Sequence, residues 1–248
     1  MVLEQYCLVS AVGILCVIFG LYEKLVNSIL DIFKNFKKNF TFLFPIVLGI
    51  GIGFLFFSNI LNSYFVTYQI EFKSLFLGLI LGGIPSLFKQ ANKEKKFKFS
   101  LLLYTFISFC FGLFLIFLEK NLDTSFFITE NNFLFLFLCG FVMSCGIIIP
   151  GISSTVILMC FGIYYTYLES ICTFNLNVLL PMGLGIIIGC ITFLILIRFL
   201  FKNFYSKTFY SIIGFVFGSI FIIIPNSFSL FSILLFLLGL FISLKIEK

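Results

Sequence analysis

The chain has 248 residues, 61% of them hydrophobic and 10% charged, and a net charge of +6. A water-soluble domain of this length has no need of so much apolar surface, so the composition indicates an all-α, polytopic membrane protein. No histidine is present, which removes the commonest general base and the commonest zinc ligand and leaves neither a cofactor nor a metal site expected.

Apolar runs lie near 5–22, 41–62, 74–88, 100–118, 133–149, 151–166, 178–200, 209–225 and 228–244. A straight spanning helix needs ~20 residues, and most of these runs approach that length. No Lys or Arg precedes residue 24 and no small-residue cleavage pattern is present, so the first run is not read as a signal peptide. The runs 133–149 and 151–166 are shorter and are broken by Pro150-Gly151. That break predicts a re-entrant hairpin, whose non-helical tip must be buried in protein or face a wet cavity. The eight cysteines include no C-x-x-C pair and are scattered through the apolar runs, where buried free thiols act as small hydrophobes.

Positive residues set the orientation. Lys24, Lys34, Lys37 and Lys38 precede the 41–62 run, and Lys89, Lys93, Lys95, Lys96 and Lys98 follow 74–88. Arg198, Lys202 and Lys207 surround the loop after 178–200, while Lys245 and Lys248 close the sequence. Placing these segments in the cytoplasm puts 14 of the 16 Lys and Arg residues inside and leaves Lys73 and Lys120 outside, with Glu119, Asp123, Glu130 and Glu169. The expected location is the plasma membrane of a bacterial cell, multi-pass, with a cytoplasmic C-terminus. The 89–98 lysine run reads as an anchor on anionic lipid, each charge worth ~1 kcal/mol at the surface; nothing points to nucleic acid.

Glycines and prolines repeat along the chain. Pro45, Gly49, Gly53, Gly78 and Gly82 are matched without a gap, 136 residues on, by Pro181, Gly185, Gly189, Gly214 and Gly218. One Gly-x-x-x-Gly in an apolar run is a helix-packing device; four in register indicate an internal duplication. The orientation runs 41–62 outward and 178–200 inward, so the halves are inverted, the usual frame for alternating-access transport. The chain is therefore expected to be one membrane domain, 1–248, of two inverted-topology repeats, each with a re-entrant hairpin and about three transmembrane helices. Repeat 1 spans 1–132, its first hairpin arm missing or degenerate, and repeat 2 spans 133–248.

The strongest local signal is Pro150-Gly151-Ile152-Ser153-Ser154-Thr155, followed by an apolar helix and Gly162-Ile163-Tyr164. Gly151 permits a sharp turn. Ser153 suits an N-cap, and the next turn exposes free backbone N–H groups beside three hydroxyls. Such a helix start attracts anions, making a neutral, phosphate-compatible pocket; the plainer alternative is a capped break in a buried hairpin without a ligand. The first half echoes it in Gly20-Leu21-Tyr22, and Leu8-Val9-Ser10-Ala11-Val12-Gly13 falls where Pro150 to Thr155 would. Ser10 and Gly13 remain small there, but the Pro-Gly is gone.

P-G-[VI]-S-x-[GST] leading into G-[IL]-Y, L-P-x-G-x-G-x-x-x-G at 180–189 and G-x-x-x-G-S at 214–219 resemble the PopT-type polyprenyl-phosphate translocase family over nearly the whole chain. The resemblance implies import of undecaprenyl phosphate, from the outer to the inner leaflet, for reuse as a carrier in envelope synthesis. The headgroup would rest on Pro150, Gly151, Ser153, Ser154 and Thr155, with Ser10 in the degraded copy. A coupling ion, proton or sodium, or consumption of the product would supply direction.

Arg198, the only arginine, has the forked donors that suit phosphate, and the resemblance adds a basic residue hereabouts; a snorkelling topology anchor is the alternative. Asn59 and Asn62 lie near its repeat-equivalent position and carry no charge. Glu23, after the first G-L-Y, is a candidate proton acceptor or a solvated helix-end carboxylate. A lipid phosphatase would need a nucleophile with a base, or a metal with carboxylates, and no acidic pair lies within an apolar run. A small-solute or ion transporter on the same frame, or a structural membrane subunit, are the alternatives.

Overall fold

Hydrocarbon offers the backbone no hydrogen-bond partners, so apolar runs in a bilayer satisfy themselves as helices. The computed structural model describes residues 16–60, 68–93, 99–121, 132–150, 152, 154–225, 227 and 229–246, and every regular element among them is helical. In chain order these are α1 (Tyr22–Leu30), α2 (Phe36–Ile60), α3 (Gln69–Ala91), α4 (Phe99–Asn121), α5 (Phe133–Ile148), α6 (Ser154–Cys160), α7 (Tyr164–Thr173), α8 (Leu176–Ile223) and α9 (Leu230–Ile246). Among the described residues, Gln69–Ala91, Phe99–Leu118 and Leu176–Phe221 are long and apolar enough to cross a membrane. Their outer faces are apolar too: Leu184, Ile188, Ile191 and Ile195 of α8 are all exposed.

The sequence places a loop between 178–200 and 209–225. The structure instead continues as helix through this stretch, and only Phe204 departs from helical angles (φ −134°, ψ 41°). A straight helix of these 48 residues would be about 72 Å long, more than twice the ~30 Å of hydrocarbon. α8 is therefore two spans joined at a one-residue break, which lies between Lys202 and Lys207. At that corner Lys207 stands over the rings of Tyr104 and Phe204.

The run 151–166 is likewise not one arm. α6 ends at Cys160, and the chain turns by 111° into α7. α5 and α6 fold back on each other so closely that a Cβ on Gly146 would lie 2.6 Å from the amide nitrogen of Ser154.

Most of the matched glycines sit where backbones touch. Gly185 and Gly189 on the N-terminal arm of α8 receive α5, meeting the carbonyl of Phe137 and the Ser144 side chain. Gly78 on α3 faces the carbonyl of Phe236 on α9, and Gly82 that of Leu240; on the C-terminal arm of α8, Gly214 faces the carbonyl of Thr105 on α4, and Gly218 meets the backbone of Gly112. So α3 takes up the last helix of the chain, and the matching stretch of α8 takes up α4. Gly49 differs: a Cβ there would meet nothing within 4 Å, because no described helix occupies the place that α5 fills beside Gly185.

The cysteine expectation needs correction. Among the described cysteines, all free, only Cys139 is buried, while Cys110, Cys160 and Cys172 are exposed. The outer face of a membrane helix is as apolar a setting for a thiol as the core, so a hydrophobic run does not predict burial.

Candidate functional site

The hairpin tip follows from local chemistry. Asn132 caps α5 by accepting a hydrogen bond from the Leu134 amide at 3.1 Å. The helix stops at Ile148 because Ile149, preceding a proline, is driven into extended backbone (φ −87°, ψ 113°). The Ile152 amide then donates to the Ile149 carbonyl at 3.3 Å. Pro150 and Thr155 are buried and Ser154 is half-buried. Gly151, Ser153 and Ser10 lie outside the described residues, as does Asn62. α6 has seven residues, so its negative end is only about 10 Å from its start, and hydroxyls rather than a macrodipole are the chief polar resource here.

Both G-[IL]-Y motifs build the same turn. Gly20 and Gly162 have positive φ, 66° and 69°, a conformation that costs glycine nothing. The Gly20 amide donates to the Val17 carbonyl and the Leu21 amide to Cys16; the Gly162 amide donates to Met159 and the Ile163 amide to Leu158. These are two Schellman endings with identical spacing. After each, a tyrosine opens the next helix, and both Tyr22 and Tyr164 are buried. The Ile18 carbonyl, left over at the first ending, accepts from Ser86 Oγ at 3.2 Å and Gln90 Nε2 at 3.1 Å.

α1 carries the first motif to the second. Tyr22 donates its hydroxyl hydrogen to the Ile148 carbonyl, 2.8 Å away in the last turn of α5, where carbonyls lack intrahelical donors. Its ring stands edge-on to Phe201 of α8, with centroids 6.0 Å apart. Further along α1, Glu23, Asn27 and Asp31 follow at a spacing of four, which places them in one stripe.

That stripe faces the basic corner of α8. Arg198 grips Asp31 with both arms of its fork, Nη1 to Oδ1 and Nη2 to Oδ2, each at 3.0 Å. Lys34 adds a second, longer contact to Asp31 at 3.4 Å. The hydrogen bond from Arg198, with Lys34 beside it, holds the Asp31 carboxyl below the usual carboxylate range. A cavity of about 300 Å³ opens here, lined by Glu23 and Asn27 of α1 and by Arg198, Phe201, Lys202 and Tyr205 of α8. A second, of about 500 Å³, shares Glu23 and Asn27 and adds Lys24, Asp31, Lys38 and Phe42.

The sequence-derived site residues thus fall in two places. Pro150, Ser154 and Thr155 belong to the hairpin tip, and Arg198 stands at the basic corner, its fork taken up by Asp31. Asn27 and Asp31 are residues that sequence reasoning did not single out, and Tyr22 was read only as part of the G-L-Y echo, not as a partner of the hairpin. A signal existed for one of them: Asp31 is the only acid in the lysine-rich stretch 24–38.

A family profile described as undecaprenyl phosphate translocase-like matches residues 9–235. The chain is similar to the polyprenyl-phosphate transporter of Staphylococcus aureus (strain NCTC 8325 / PS 47), 28% identical over 236 residues that cover 89% of this chain and 83% of that protein. It is also similar to the polyprenyl-phosphate transporter of Vibrio cholerae serotype O1 (strain ATCC 39315 / El Tor Inaba N16961), 26% identical over 222 residues, or 84% of this chain and 69% of that one. No solved structure matches it.

Proposed function

Because the chain belongs to the undecaprenyl phosphate translocase-like family, we propose that it transports a polyprenyl phosphate, undecaprenyl phosphate, from the outer to the inner leaflet of a bacterial plasma membrane, returning the carrier lipid for envelope synthesis. The observation that carries this reading is the extent of the family match, from residue 9 to residue 235, which takes in both G-[IL]-Y motifs and the whole hairpin. Both named relatives are transporters, which supports movement of the lipid rather than its chemical conversion.

The physical problem is the headgroup. An unpaired phosphate in hydrocarbon costs tens of kcal/mol, whereas the polyprenyl tail is at home there. A polar pocket reachable from one face at a time removes most of that cost. Ser153, Ser154 and Thr155, with Pro150 and Gly151 shaping the turn, offer hydroxyl and amide donors to the phosphate, and Ser10 is the remnant of that pocket in the first half. The tail stays in lipid or against the apolar faces of α5 and α8. Arg198 and Lys202 then attract the headgroup at the cytoplasmic end.

Switching follows from the inverted halves. Two similar halves of opposite orientation give two states of similar energy, one open to each side. The paired Schellman turns and the reciprocal seating of α4 and α9 on matched glycines support this frame. Direction comes from a coupling ion, proton or sodium, or from consumption of the lipid inside.

Reconstitution tests the proposal. Proteoliposomes holding undecaprenyl phosphate should lose it from the outer leaflet faster with the protein than without it. The double substitution Ser153→Ala with Ser154→Ala should slow that loss by about tenfold or more, the worth of removing a charge-assisted hydrogen bond. Equal flux in wild type and double variant, both correctly inserted, rejects the hairpin pocket.

A further inference from the structure

We propose that Asp31 is an exchangeable counter-anion, which occupies the Arg198 fork until a phosphomonoester enters the 300 Å³ cavity and takes its place. The inference deepens the transport reading and rests on it.

Four observations converge on this exchange. The first is the match of geometry: two parallel N–H donors, each 3.0 Å from a different carboxylate oxygen, are the arrangement a phosphate also accepts. The second is position. Arg198 lines one cavity and Asp31 the other, and the two share Glu23 and Asn27, so the bridge stands at their border. At 300 Å³, the cavity equals about ten water molecules, ample for a phosphate group and its hydration.

The third is the setting of the carboxylate. Asp31 is the C-cap residue of α1, at the negative end of the helix, where an anion is disfavoured unless cations hold it. Its partners, and not the helix, are therefore what keep it in place, so it stays in the fork only while Arg198 is not given a better anion. The fourth is a landing place. Lys34 already touches Asp31 and is itself 76% exposed, so the carboxylate released from Arg198 keeps a partner and gains water. Lys202, lining the same cavity as Arg198, supplies a second cation to the incoming phosphate.

Exchange has a consequence for transport. The Asp31–Arg198 bridge ties α1 to α8, and α1 also holds the hairpin through Tyr22. A phosphate that displaces Asp31 loosens one end of that strut, and Asp31 returning to the fork expels the phosphate. Asp31 is thus a positioning and release residue, acting through Arg198.

The test uses the full-length protein in nanodiscs. One arm titrates undecaprenyl phosphate, with undecaprenol as the headless control, and the other titrates inorganic phosphate. Asp31→Asn should bind the phosphomonoester about tenfold more tightly than wild type, because apparent affinity scales with the fraction of open forks. Adding Arg198→Lys to that variant should cancel the gain, since Lys lacks the fork. A gain with both ligands assigns the site to the bare phosphate group; a gain with the lipid alone makes the tail part of recognition. A readout independent of any variant is hydrogen exchange in wild type, where bound undecaprenyl phosphate should speed exchange of the amides of 31–35. Headgroup-dependent binding that is no tighter in Asp31→Asn overturns the exchange alone, as does unchanged hydrogen exchange should Asp31→Asn fail to fold. No preference for undecaprenyl phosphate over undecaprenol in wild type removes the transport reading as well.

Discussion

Tyr22 does two jobs through two parts of one side chain. Its ring packs on Phe201, and its hydroxyl reaches a carbonyl 126 residues away on the hairpin. Tyr22→Phe keeps the first and removes the second, leaving a carbonyl at a helix end without that donor. The expected cost is ~1–3 kcal/mol, read as a lower thermal unfolding midpoint in detergent; an unchanged midpoint would show the hydrogen bond to be dispensable. The first G-L-Y motif was visible as an echo of the second, because glycine is nearly obligatory where a Schellman ending needs positive φ. That Tyr22 would reach across to the second motif was not visible. A side-chain hydrogen bond between distant segments leaves no periodicity behind. Asp31 is a similar case: its isolation among lysines could be read, but not which cation it would meet.

Among the elements, α8 shows how a run of residues can be read correctly and joined wrongly. Two apolar stretches flanking Lys202 and Lys207 look like two spans with a loop between them. The stretch between is rich in residues that helices tolerate and contains neither Gly nor Pro, so the chain stays helical except at Phe204. The small-residue pattern carried more information, because a glycine on a helix face is a direct statement about how near another backbone comes. Gly185 and Gly49 occupy matching places in the sequence but different surroundings. Gly185→Ala would thrust a methyl group at the Phe137 carbonyl, and overpacking of this kind costs ~1–3 kcal/mol. Gly49→Ala enters open space and should be neutral or stabilising by up to about 1 kcal/mol through helix propensity. Unfolding midpoints of the two variants in the same detergent check the contrast; equal losses would mean that Gly49 is covered after all.

For the molecule as a whole, the proposed inversion makes a prediction about sides. Lys37 lies in the first turn of α2 and Lys207 just beyond the break in α8, so single cysteines at both positions should react with an impermeant reagent from the cytoplasmic compartment only. Labelling of the two from opposite compartments would dismantle the inverted frame and, with it, the two-state mechanism. The reciprocal packing gives that frame a physical basis. α4 lies on α8 and α9 lies on α3, each through glycines that share one spacing, so neither half completes its helix contacts without the other. Such an exchange of helices would let the two proposed halves move against each other, as the proposed two-state mechanism requires, while keeping both attached.

Class, number of apolar runs, the glycine ruler and the hairpin break were all readable from residue order, because each depends on local chemistry: hydrocarbon demands helices, proline ends them, and glycine marks a close approach. The meeting of α1 with the hairpin, the seating of Asp31 in the Arg198 fork and the cavity beside it depended on three-dimensional folding. They join α1 to α5 and α8, segments more than a hundred residues apart, and which carboxylate answers which guanidinium is decided by where packed backbones happen to bring them.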